Sequence, residues 1–118
     1  MAIKHNSKVI FEVGLDENRI PEQIRWSADD ANVVNESAEA VMISVWNDQT
    51  KETLRMDLWT KEMKMVEMQV FFHQTLKSMA DVYRRATNDD KMADTMMDFV
   101  DYFEEKLELE KKRNEEIS

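Results

Sequence analysis

A single glycine, Gly14, and a single proline, Pro21, serve all 118 residues of the chain. Glycine-rich phosphate loops, collagen-like repeats and flexible linkers need many more of these residues, so each is excluded. The Gly-x-Ser-x-Gly elbow of a hydrolase fails on the same count. What remains is a chain of regular elements joined by short polar turns. A chain of this length is expected to form one domain over 1–118 around one hydrophobic core, with mobile ends at 1–6 and 110–118.

The apolar periods then sort the elements. From Lys8 to Leu15, the residues Val9, Phe11, Val13 and Leu15 alternate with Lys8, Ile10, Glu12 and Gly14, the pattern of a half-buried strand. Asp16-Glu17-Asn18-Arg19 turns the chain, and Pro21 blocks a helix from starting there. Ile24, Trp26 and Ala28 resume the alternation, which predicts an antiparallel hairpin with Trp26 in the core. Polar residues from Asp29 to Glu36 read as a loop.

Residues 36–47 fit two periods. Val41, Ile43 and Val45 alternate like a strand, while Ala38, Val41, Met42, Val45 and Trp46 fall at helical spacing. Asn35 as N-cap, with Glu36 and Glu39 in the first turn, favours the helix. A third strand is predicted over Thr53–Thr60, where Leu54, Met56 and Leu58 alternate with Arg55, Asp57 and Trp59.

Two long helices close the chain. From about Lys64 to Ala86, Met65, Met68, Phe71, Phe72, Thr75, Leu76, Met79, Ala80 and Tyr83 cover an arc of roughly 180°. The last helix starts near Asp89, with Met92, Met96, Phe99, Val100, Phe103 and Leu107 on its inner side. Beyond Leu109 no core positions remain. The expected fold class is therefore α+β: a small antiparallel sheet of about three strands packed with two long C-terminal helices and one shorter helix.

Sixteen Lys and Arg against 25 Asp and Glu leave a net charge of −9, which repels phosphate backbones and anionic lipid surfaces. Neither a nucleic-acid partner nor membrane insertion is expected. The absence of cysteine excludes disulfides, Cys-zinc sites and thiol catalysis. The N-terminus lacks an apolar signal segment and no apolar run reaches the roughly 20 residues that span a bilayer, so a cytoplasmic location is expected.

Candidate chemistry is thin. Asp90, Asp94, Asp98 and Asp101 share one side of the last helix, but a solvated acidic face explains them better than a cation site. His73 has Val70 three residues before it and Lys77 four after it, so the local half of a zinc or di-iron motif is missing. Ser44 and Ser78 lie in apolar surroundings without a local base. No catalytic residue, cofactor or metal ligand is assigned, and no enzyme is expected. Trp59, Met63, Val66 and Val70 lie off the main stripes and form the candidate partner surface.

Four stretches together resemble a known family. They are Val13-Gly14-Leu15-Asp16-Glu17-Asn18-Arg19-Ile20-Pro21 with Ile24-Arg25-Trp26-Ser27-Ala28, then Leu54-Arg55-Met56-Asp57-Leu58-Trp59-Thr60-Lys61. The others are Phe71-Phe72-His73-Gln74-Thr75-Leu76 with Met79-Ala80-Asp81, and Asp98-Phe99 onward to Leu107. Their order and spacing resemble the gliding-motility protein GldC family of Bacteroidota over nearly the whole chain. The sequence departs from that pattern at Lys64-Met65-Val66, where a proline is expected, and at Val100, where a cysteine is expected. The resemblance implies a cytoplasmic accessory protein that supports gliding, a process coupled to type IX secretion, with no reaction, cofactor or catalytic residue.

Two functional classes follow. The first is a non-enzymatic interaction protein with protein partners among motility or secretion components, and self-association is compatible with it. The alternative is a small-molecule or metal-binding protein, extending to a weak hydrolase, built on His73 and nearby carboxylates. A deep pocket holding His73 and an acidic group would favour the alternative.

Overall fold

The computed structural model describes residues 2–116. The chain divides into two compact units at Met63/Lys64. The first holds five strands: β1 (Val9–Leu15), β2 (Pro21–Ala28), β3 (Val33–Ala38), β4 (Ala40–Asn47) and β5 (Glu52–Trp59). The second holds three helices: α1 (Met65–Thr87), α2 (Asp90–Leu107) and α3 (Leu109–Glu116). The α+β class is as the sequence predicts, with five strands in two small sheets instead of about three in one. Residue 1 and residues 117–118, part of the ends expected to be mobile, lie outside the described residues.

The first hairpin forms where the alternation places it. β1 and β2 pair antiparallel with Val9 opposite Ala28, Phe11 opposite Trp26 and Val13 opposite Ile24. Phe11 and Trp26 stack at 5.9 Å between ring centroids, and Ile24 is fully buried. Asp16 builds the turn: its carboxylate accepts the N–H groups of Asn18 (2.8 Å) and Ile20 (3.0 Å). Pro21 opens β2, the strand position where its missing N–H matters least.

The loop and helix expected between Asp29 and Asn47 are corrected by the structure. After a short 3-10 turn at Asp29–Ala31, the segment becomes β3 and β4, separated by Glu39 alone. One run of backbone thus pairs with β2 through its first half and with β5 through its second. Asn35 is no N-cap; it sits at φ 48° beside the irregularity in the β2–β3 register, and its N–H donates to Ser27 Oγ at 2.9 Å. The helical signals were local, whereas the alternation of Val41, Ile43 and Val45 is satisfied by pairing with Leu58, Met56 and Leu54. Asn47 closes the hairpin, its side-chain oxygen accepting the N–H groups of Gln49 and Thr50 at 3.0 Å each.

In the helical unit, Glu67 accepts the Lys64 N–H at 3.2 Å and opens α1 without a proline. Asn88 ends α1 in the left-handed region, and Asp89 caps α2 by accepting the Met92 N–H at 3.1 Å. Ala80 on α1 and Ala93 on α2 are both fully buried, where a longer side chain would hold neighbouring backbone away. The inner side of α1 runs through Ala80, which the predicted stripe includes, and Val66, which it leaves out, so the buried side lies toward one edge of that stripe. Met65, Phe72 and Met79, expected inside, are exposed, as are Met92 and Phe99 on α2. Apolar residues occupy more of the α1 circumference than one neighbouring helix covers, so periodicity alone could not choose among them. α3 follows Glu108, itself left-handed at φ 52°, and buries Leu109 at its start.

Candidate interaction surface

The β4–β5 ribbon gathers apolar side chains that its own unit leaves open. Its register pairs Val41 with Leu58, Ile43 with Met56 and Val45 with Leu54, and these six side chains share one face. Val41 at the base is buried, while Val45, Leu54 and Met56 toward the tip are each about half exposed. The opposite face carries Trp59 at the base and Trp46 near the tip, 57% and 64% exposed. Between them the Arg55 guanidinium donates to Asp57 at 2.8 Å and to the Ser44 hydroxyl across the ribbon.

A charged cluster sets the base of this ribbon. Lys61, two residues beyond Trp59, reaches Asp16 at 3.1 Å and Glu22 at 3.4 Å. The Ile20 N–H and then the Lys61 ammonium hold the Asp16 carboxyl below its ordinary range, and Asp16 in turn raises Lys61. Thr60, also at the base, is buried with a hydroxyl that has no hydrogen-bond partner among the described residues.

The residues singled out from the sequence divide between the units. Trp59 is exposed and Met63 is half-buried in the strand unit; Val70 is half-buried in the helical unit. Val66 requires correction, since at 4% exposure it is an interior residue of α1 and offers no contact surface. It repeats the position of Ala80 two heptads later, and that side of the helix is the buried one. Val45, Trp46, Leu54 and Met56 were missed as surface. Their alternation was visible, but a strand's apolar face is normally assigned inward, and nothing local tells that its ribbon has only two strands.

His73 lies on a depression of about 460 Å³ whose walls include Val70, Lys77, Glu104, Glu110 and Arg113. Its Nε2 is 3.4 Å from a Glu104 carboxylate oxygen, and its ring stacks on Phe103 at 6.2 Å. Among the described residues the wall offers no serine, threonine, tyrosine or cysteine as a nucleophile. No group of three or more metal-ligating side chains is found among the described residues. The aspartate side of α2 is tied to α1, with Arg84 bonding Asp90 at 2.8 Å and Asp94 at 2.5 Å.

No helix among the described residues is long and apolar enough to cross a membrane. No curated protein and no solved structure matches the chain. A family description does: gliding motility-associated protein GldC-like, over residues 21–109. That span runs from the first residue of β2 to the buried Leu109, taking in the whole ribbon and both long helices. With most of its length matched in this way, the chain belongs to the GldC-like, gliding motility-associated family.

Proposed function

We propose that the chain is a non-enzymatic accessory of gliding motility, acting in the cytoplasm by binding protein components of the type IX secretion-linked machinery. Family membership supplies the process. The observation that carries the mechanism is the two-stranded ribbon with apolar residues open on one face and two exposed tryptophans on the other. An isolated pair of strands is marginal in water, and exposed aromatics with free strand edges are common elements of peptide and protein recognition. The test is complementation of gliding in cells lacking the protein. Trp59→Ala should stay folded and fail to restore gliding, with loss of a captured motility or secretion component. Full restoration by a folded Trp46→Ala/Trp59→Ala chain would contradict the reading.

The depression around His73 and Glu104 favours a second reading, a small-ligand site. Its mixed lining, with Lys77 and Arg113 beside Glu110, suits a small zwitterion better than an apolar compound. Under this reading such a ligand raises the melting temperature of the wild type but not of His73→Gln. Equal shifts in both proteins would remove it.

A further inference from the structure

Among the described residues, β5 is the only edge strand of the two sheets that carries both signs of charge within its span. β1 and β3 each hold one glutamate, and β4 holds no charge. β1 and β3 also have register irregularities, which spoil a flat edge. The outer side of β5 has no strand beside it, and seven of its eight residues, all but Leu58, are exposed. The direction of its backbone groups follows from one bond. Thr60 N–H donates to Glu39 C=O at 2.8 Å, continuing the β4–β5 register by one pair. Hydrogen bonding alternates along antiparallel strands, so Leu54, Met56 and Leu58 spend their backbone groups on β4. Thr53, Arg55, Asp57 and Trp59 therefore turn theirs outward.

We infer that β5 pairs antiparallel with β5 of a second copy, about a two-fold axis at Met56, to make a four-stranded sheet. Only registers that match outward groups with outward groups form a ladder, and the charges choose among them. With Met56 opposite the second copy's Met56, each Arg55 faces an Asp57 and each Leu54 faces a Leu58. Sliding one step either way places Arg55 on Arg55 or Asp57 on Asp57, and like charges directly opposite are unfavourable. The Arg55–Asp57 pair already lies on one face at 2.8 Å, so the two copies form an alternating ladder of four charges. The opposite face becomes continuous, joining the half-exposed Leu54 and Met56 of both chains. The arrangement is isologous and closes at two copies along this edge.

The chain has no cysteine, so substituted thiols report the register cleanly. At a pair that is not hydrogen-bonded the Cα atoms are about 4.5 Å apart, within disulfide reach. Met56→Cys, mildly oxidised with glutathione disulfide, should form a covalent dimer of twice 14.0 kDa. Leu54→Cys and Leu58→Cys should each stay monomeric alone and crosslink when mixed. By sedimentation, Arg55→Asp should weaken self-association about tenfold or more, and adding Asp57→Arg in the same chain should restore it. A wild type that sediments as a monomer up to about 1 mM overturns the inference. So does crosslinking of Leu54→Cys alone at the efficiency of Met56→Cys, or a loss in Arg55→Asp that Asp57→Arg does not repair. If Met56→Cys fails to fold, the charge exchange decides alone. The proposal shares its ribbon with the motility reading, and a monomeric protein that still needs Trp59 for gliding sinks only the self-pairing.

Discussion

β2 and β5 are both eight-residue antiparallel strands with a tryptophan, and they end in opposite surroundings. β2 has a strand on each side and buries Ile24 completely and Ala28 nearly so. β5 has a strand on one side, and its Leu54, Met56 and Trp59 remain exposed although they are no less apolar. In an antiparallel sheet the apolar content of a strand sets how much it could bury, and the number of neighbours decides how much it does bury. The surplus on β5 contributes little to the fold of the single chain and stays exposed.

The largest expected effect comes from matched truncations in the two strands. Ile24→Ala should cost about 3–4 kcal/mol in urea unfolding, since it empties a fully enclosed site. Leu54→Ala should cost less than about 1 kcal/mol, because half its surface is already wet. Equal losses would break the comparison. The tryptophans sharpen it: Trp26→Ala removes a ring stacked on Phe11 and should cost about 2 kcal/mol, against less than about 1 kcal/mol for Trp59→Ala. Matching melting temperatures for the two variants would return Trp59 to the interior.

The base of the ribbon offers a smaller effect of opposite sign. Thr60→Val replaces a buried hydroxyl, without a partner among the described residues, by a methyl of similar shape and should stabilise the chain by about 1 kcal/mol. Destabilisation there would mean that the hydroxyl has a partner. The smallest expected effect is a pH dependence. Asp16 is held below its ordinary value of 3.8 by the Ile20 N–H and Lys61, so its contribution is complete above that value and is lost as pH falls beneath it. Asp16→Asn should therefore lower the melting temperature at neutral pH and flatten its acid-side decline. An unchanged decline would show that the cluster does not hold the ribbon base.

Much of this architecture was legible from period and turn chemistry. The first hairpin, β5, α1 and the Asp89 start of α2 stand where alternation, Asp16 and the capping residues place them. Residues 36–47 were misread because Asn35 and two glutamates imitate a helix start, and only pairing with β5 decides otherwise. On α1, Ala80 is buried as its place in the stripe predicts, whereas Met65, Phe72 and Met79 stay exposed and the smaller Val66, off the stripe, is buried, because close helix packing rewards small residues. Trp59 was readable as surface from its place opposite Leu54, Met56 and Leu58. The rest of the ribbon surface was not, since strand count is a property of the assembled sheet.

Amide hydrogen exchange compares the two strands in one experiment. At low protein concentration the amides of β2 should be protected on both of its paired sides, while those of Arg55 and Asp57, turned outward on β5, should exchange like open chain. Raising the concentration about a hundredfold should slow exchange at Arg55 and Asp57 and leave β2 unchanged, because a second copy then occupies the open edge. Identical exchange at Arg55 and Asp57 across that range, or protection there at every concentration, would contradict the claim that β5 is a strand left open for another chain.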